Sequence, residues 1–212
     1  LMGLQIYVCD TETTGIAANT QELIEFSIID VKNKTQCTRI IKAETPWTAS
    51  DEALKITGRT KADLSKGISK EQSVADFLNF INQDGLTPEH RVIIAHNAPF
   101  DRRFLHALFR KCNQTNFPAV AWLDSMGIAR EYLKKRGLTK TADGKKQSVK
   151  LDECLKFANI PLPSVKFHSA SGDAQALFLF WQKMLAEGVD YLPLIKRFPY
   201  GGDNAQSSND ED

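Results

Sequence analysis

The chain has 212 residues, enough for one large domain or two small ones with a substantial core. Apolar residues make up 42% and charged residues 25%, as in an ordinary soluble globular protein, and 27 basic against 26 acidic side chains leave a formal net charge of +1. No global field therefore announces a nucleic-acid or membrane partner, and any such partner must be met by a local patch.

The four cysteines, Cys9, Cys37, Cys112 and Cys154, are scattered without a Cys-x-x-Cys spacing, which argues against a zinc knuckle or a dithiol redox site. Without a signal peptide or an apolar run near ~18 residues, the expectation is a reduced cytoplasmic protein with no membrane contact. A leucine stands before Met2, so the native N-terminus is left open.

The first strand is expected at Leu4–Asp10, running on if its pattern holds through Glu12. "ELIEFSIIDVKN" (22–33) and "TQCTRIIKA" (35–43) are rich in β-branched residues and read as two more strands joined by the turn "KNKT". Residues 46–69 read as loop plus a short helix, punctuated by Gly58 and Gly67. "SKEQSVADFLNFINQ" (69–83) opens on a capping signal, with Val74, Phe77, Leu78 and Ile81 at helical spacing. "RVIIAHN" is a short buried strand. "APFDRRFLHALFRKC" is a helix with Pro99 in its first turn, where proline is tolerated, and "AVAWLD" is a fifth strand. Helices follow over 125–135, 148–158 and 170–187. In the last, Ala174, Leu177, Phe178, Trp181 and Leu185 form the expected buried stripe, which also assigns "QALFLF" (175–180) to the core rather than to a partner-binding peptide. The order β-β-β-α-β-α-β-α predicts an α/β protein with a central mixed five-stranded sheet flanked by helices. One domain is expected over 1–200, and the polar, acidic 201–212 is expected to be a disordered tail.

"CDTETTG" (9–15) places Asp10 and Glu12 two positions apart, so on a strand both project from one face. Two like charges 4 Å apart repel by about 4 kcal/mol at an effective dielectric of ~20, and something must compensate. Grouped hard oxygens suit Mg²⁺ or Mn²⁺, although a solvated turn would use the same residues. In "HNAPFD" (96–101), Asp101 falls in a first helical turn beside another strand end, where a carboxylate is also favoured by the helix dipole alone. In "HSASGDA" (168–174), His168 and Asp173 are five positions apart, about 140° round a helix, so the helix is expected to begin after the histidine.

Taken in this order, "DTETTG", "HNAPFD", the weaker "KKQSVKLDECLKFANI" and "HSASGDAQAL", with "ALKITGRT" between, resemble the DEDDh (DnaQ-like) 3′–5′ exonuclease superfamily, most of all its epsilon-type proofreading members of bacterial DNA polymerase III. The likeness covers roughly Ile6 to Leu185. It implies an RNase H-like fold in which Asp10, Glu12, Asp101 and Asp173 hold two divalent cations, Mg²⁺ or Mn²⁺, at the scissile phosphate. A cation pair can clamp the attacking and leaving oxygens of an in-line displacement. It also cancels the repulsion within "DTE". Asp10 is expected to bridge both ions, Glu12 and Asp173 to assist one, and Asp101 to engage the other mainly through water. His168 is the implied general base, an imidazole being suited to proton transfer near neutral pH. His96 competes for that role, but its strand-end position suggests scaffolding.

The resemblance further implies stepwise hydrolysis from single-stranded 3′ ends to nucleoside 5′-monophosphates. Thr13, Thr14 and Gly15 would hold the terminal sugar through backbone amides, Ile16 would wedge against the terminal base, and His96 and Asn97 would lie along the substrate. The basic stretch Lys134, Lys135, Arg136, Lys140, Lys145, Lys146 and Lys150, broken by Asp143, is either a solvated face or a flap contacting phosphates, with Lys145 and Lys146 at its tip. DNA is the first expectation and RNA the rival, since the distinction rests on a few contacts to the 2′-hydroxyl. A binding module without catalysis is disfavoured because all five catalytic positions carry competent residues. Association with a DNA polymerase, and whether the protein is a monomer or homodimer, stay open.

Overall fold

In a computed structural model the described residues are 3–161 and 168–200, so the expected acidic tail lies outside them. Strands β1 (Gln5–Thr13), β2 (Leu23–Asp30), β3 (Thr35–Ile40), β4 (Arg91–Ala95), β5 (Ala121–Asp124) and β6 (Lys196–Arg197) form a single sheet of order β3-β2-β1-β4-β5-β6. β1, β4 and β5 run parallel and the remaining pairs are antiparallel. The sheet is mixed as expected, with six strands instead of five. The sixth has two residues, too few to carry any periodicity, and is held through Ala121↔Arg197, Trp122↔Lys196 and the bond from Phe198 N to Val120 O at 2.8 Å.

Six helices cover the sheet: α1 (Asp51–Thr57), α2 (Lys70–Ile81), α3 (Ala98–Lys111), α4 (Ser125–Lys135), α5 (Leu151–Phe157) and α6 (Ala170–Ala186). The starts of α1, α2, α4 and α6 follow from side chains that accept orphan amides. Ser50 accepts from Ala53 N, Ser69 from Gln72 N, Asp124 from Met126 N and Ser169 from Gly172 N. On one face of the sheet Tyr7, Cys9, Phe26 and Ile93 pack against Phe77, Phe104 and Phe109 of α2 and α3. On the other, Val8, Ile94 and Leu123 pack against α4, α5 and α6 through Ile128, Leu155, Leu177 and Trp181. Buried on both faces, β2 and β4 have every residue inside, which is why they read as continuous apolar runs.

One expectation is corrected. In α6 the buried arc contains Ala174, Leu177, Phe180, Trp181 and Met184, while Phe178 is half-buried and Leu185 is 44% exposed. The helix meets β1 and β2 beneath it and α4 and α5 beside it, so its apolar arc is wider than, and rotated from, a one-sided stripe. "RVIIA" is the buried strand expected, and it buries a charge. Arg91 is 1% exposed and paired with Asp84 (Nη2–Oδ1 2.6 Å, Nε–Oδ2 2.9 Å), which also accepts from the Tyr7 hydroxyl at 2.7 Å. Its remaining protons go to the carbonyls of Pro118 and Leu86.

Candidate active site

β1 continues past Asp10 to Thr13, so Asp10 and Glu12 do share a face. It is the face that carries Val8, beneath α6. Ser169 starts α6 so that Asp173 lies in its first turn, and ligand oxygens of Asp10, Glu12 and Asp173 lie within 4.8 Å of one another. Asp101 arrives from the opposite layer. It is 2% exposed in the first turn of α3 and accepts from Thr11 Oγ1 at 2.8 Å, Thr11 being the residue of β1 that points away from α6. Three of the four acids thus form one cluster, and Asp101 is set back from it across the strand.

The electrostatics are those of an uncompensated acidic site. Burial, then the charges of Asp101, Asp173 and Glu12, hold Asp10 well above the usual carboxylate range. Burial and the neighbouring Asp173 and Glu25 push Glu12 to about 8, against the pull of Arg59. Burial raises Asp101 to about 7 and Asp173 to about 6, the latter opposed by His168. A set of hard carboxylate oxygens, crowded and half-desolvated, fits divalent cations that take oxygen ligands.

His168 is exposed, with φ of +67°, and its backbone N–H donates to Asp173 Oδ2 at 3.3 Å. α6 begins after it, as the spacing predicts; the preceding 162–167 lie outside the described residues. His96 is half-buried with Nδ1 2.8 Å from Ser125 Oγ, which donates to Ala95 O, so it ties β4 to the start of α4. Burial lowers its pKa. Asn97 takes φ of +68°, a conformation asparagine tolerates, and its N–H donates to Asp124 Oδ1 at 3.0 Å.

The turn "TTG" does structural work that the motif alone does not reveal. Thr14 is fully buried; its amide donates to Glu22 O at 2.8 Å and its hydroxyl accepts from Glu22 N at 2.8 Å. The expectation of a free Thr14 amide for the sugar is therefore not met: a register irregularity after Glu12 directs that amide back to the chain. Thr13 Oγ1 donates to Gly15 O at 2.6 Å. The Gln21 carboxamide fills the space over Gly15, donating to Thr14 O and Thr48 O and accepting from Ala17 N. A β-carbon on residue 15 would stand 1.9–2.1 Å from it. Gly15→Ala is thus expected to expel Gln21 and cost about 1–2 kcal/mol through the lost hydrogen bonds. Urea unfolding checks this, and the cost should largely vanish in a Gln21→Ala background.

Ile16 is 81% exposed beside this turn, and Trp47, which sequence reasoning passed over, is 72% exposed on the 46–48 turn that Gln21 joins to it. Also missed were Thr11, which holds Asp101, and the ion pair of Glu25 with Arg59, which faces Glu12 across β1–β2 (Glu12↔Glu25). The signal for Glu25 was its place in a strand opposite "DTE", readable only once the register is known.

The basic stretch folds as a small turn with Lys140 bridged to Lys146 and Thr141 N donating to Lys145 O at 2.8 Å. Its cations are exposed, but Lys145 is paired with Asp143 at 2.9 Å and Arg136 with Glu187.

The exonuclease family model matches residues 7–179. Among curated proteins, a PolC-type DNA polymerase III of Thermotoga petrophila is 30% identical over 196 residues, covering 89% of this chain and 13% of the relative. One of Halalkalibacterium halodurans is 33% identical over 113 residues, 52% of this chain and 7% of the relative. The chain thus spans about an eighth of the first relative's length. Among solved structures, the nuclease domain of 3′hExo, a DEDDh family member, bound to rAMP, superposes with a TM-score of 0.68 at 15% identity, covering 90% of this chain and 96% of that one. Cell-death related nuclease 4 gives 0.70 at 16% identity (87% and 64%), and E. coli Exonuclease I with a dT13 oligonucleotide gives 0.68 at 18% (88% and 41%). The chain therefore belongs to the exonuclease family, and its fold is the RNase H-like one of those solved structures. Among the described residues no helix is long and apolar enough to cross a membrane.

Proposed function

We propose that the protein removes nucleotides one at a time from single-stranded 3′ ends, DNA first among its substrates, releasing nucleoside 5′-monophosphates with two divalent cations. The observation that carries the reading is the convergence of Asp10, Glu12 and Asp173 within 4.8 Å, with Asp101 behind them. Asp10, Glu12 and Asp173 would hold Mg²⁺ or Mn²⁺, with Asp101 contributing from its set-back position through water. When bound, the cations supply Lewis-acid polarisation of the phosphate and lower the pKa of water. His168, exposed beside Asp173, is positioned to take the proton of the attacking water, and the Asp173 carboxylate accepts its backbone N–H and fixes the residue. Ile16 would pack against the terminal base, and Thr13, Gly15 and Asn97 would border the terminal nucleotide.

The polymerase III relatives and the Exonuclease I complex with dT13 support DNA. The 3′hExo complex with rAMP and the histone mRNA stem-loop complex of a related 3′-exonuclease favour RNA as the second reading. End-labelled single-stranded DNA, mismatched duplex and RNA, each with Mg²⁺, Mn²⁺ or EDTA, decide between them. Mononucleotides are expected from single-stranded DNA with metal and none in EDTA; undiminished digestion in EDTA overturns the reading. The relatives' polymerase context makes a replicative polymerase the partner to seek first, by co-purification.

Lys145 and Lys146 are proposed to contact substrate phosphates. Reversing both to Glu is expected to lower the slope of log Kd against log salt by about 1.4, at ~0.7 per single-strand phosphate. Equilibrium binding of an oligonucleotide across a salt series measures it.

A further inference from the structure

We propose that the cleft between α3, α4 and the 193–198 strap is a second nucleic-acid subsite, holding the backbone of the strand upstream of the scissile linkage. The inference rests on the nuclease reading and assigns residues which that reading leaves without a role. The cleft encloses about 780 Å³. Arg102, Arg103, Arg130 and Lys196 line it, with Asp124 the single acid on its wall. Asp124 is already engaged, since its Oδ1 accepts from Asn97 N and Met126 N at 3.0 Å each. Four cations against one acid stand out in a chain whose overall charge is +1.

Pro99, Trp122, Pro193, Leu194 and Phe198 line the cleft among these cations. The Arg102 guanidinium lies 3.6 Å from the centroid of the Phe198 ring, making a flat cation–aromatic surface. Cations interleaved with apolar and aromatic side chains match a single strand, whose phosphates seek charge and whose unpaired bases seek apolar surface. A small anion would need only the cations.

Position links the cleft to the chemistry. Asn97, Ala98 and Pro99 form its near rim and open α3, whose first turn carries Asp101. Along the edge of the sheet, β4 lies between β1 and β5, so the Asp124 end of β5 is two strand spacings, about 10 Å, from the acids of β1. Arg130 also lines a separate 280 Å³ cavity with Thr139 and Lys146 of the lysine turn, so the two cavities share a lining residue. A strand held at the acids can therefore run into this cleft past the start of α3.

The test uses the full chain and fluorescein-labelled dT12 and U12, with dT3 as the short probe, by anisotropy in EDTA between 50 and 300 mM NaCl. Arg103, Arg130 and Lys196 are all exposed, so they can be reversed together to Glu, with a Gln triple variant as companion and Lys32→Glu/Lys34→Glu, on the remote β2–β3 turn, as charge control. For a 12-mer the Glu triple should weaken binding at least ~10-fold at 50 mM salt and flatten the salt slope by about 2, with a smaller change for the Gln triple. Binding of dT3 should change no more than in the control. A triple variant that loses no more affinity than the control, or that weakens dT3 as much as dT12, overturns the subsite. These readouts need no turnover: length-dependent loss in a chain that digests nothing would sink the nuclease reading and keep the cleft. Metal-dependent digestion with unaltered 12-mer binding would do the reverse.

Discussion

Replacing Asp10 by asparagine is expected to abolish hydrolysis while making the metal-free protein more resistant to heat. The loss follows from the proposed reading, in which Asp10 is a cation ligand at the centre of the acidic cluster. Several kcal/mol of transition-state stabilisation disappear with cation binding, a fall of about 10³-fold or more in kcat. The gain follows from the same geometry. Asp10 is held above its ordinary range by burial and by Asp101, Asp173 and Glu12, so in the absence of cations its charge opposes folding.

The sign of the pH dependence follows. Glu12, Asp101 and Asp173 titrate near 8, 7 and 6 when folded, against about 4 when unfolded. Between those limits the folded chain binds more protons than the unfolded one, so stability in EDTA falls as pH rises from about 4 to 8 and levels off above. Thermal melts at pH 5 and pH 8.5 should show the wild type losing stability across that window and Asp10→Asn losing less, with Tm differing by several degrees at the upper pH, each ~1 kcal/mol being worth about 2–4 °C at this size. Adding Mg²⁺ or Mn²⁺ at pH 8.5 should raise the wild-type Tm and leave the variant nearly unchanged. Equal melting of both proteins at pH 8.5 in EDTA would contradict the account of the cluster.

The second large effect is expected at His168. Its φ of +67° lies where glycine is at ease, so His168→Gly removes the imidazole without straining the turn. Turnover should fall by about 10²–10⁴-fold, the usual range for a positioned acid–base group, with KM for an oligonucleotide within a few-fold of wild type and the melting temperature preserved. Millimolar imidazole should restore part of the rate to the glycine variant and none to Asp10→Asn. His168→Ala carries the same catalytic loss with an added backbone penalty. Near-normal turnover in either variant would remove His168 from the chemistry, and His96, half-buried against Ser125, is poorly placed to replace it.

What could be read in the sequence, and what could not, divides along physical lines. Elements with long periodic patterns begin within a residue of their expected starts, α2 and α4 because a capping side chain and an apolar stripe agree there, α3 because its stripe opens with Pro99 in the first turn. The acids were legible because period-two spacing on a strand and first-turn positions on helices are local facts. Cross-strand relations are not local: that Glu25 faces Glu12, and that Arg59 answers it, depends on a register no short window contains. The amide of Thr14 was misjudged for a similar reason, its partner at Glu22 lying beyond a bend whose geometry Gly15 and Gln21 set together. β6 escaped notice because two residues cannot show alternation.

The alternation along β1 has a consequence for how competence arises. Asp10 and Glu12 face the α6 layer while Thr11 reaches Asp101 in the α3 layer, so the four acids are drawn from both sides of the sheet. Neither half of the sandwich contains them all. On the proposed reading, a chain with only one layer seated would hold an incomplete set of acids and would not cut.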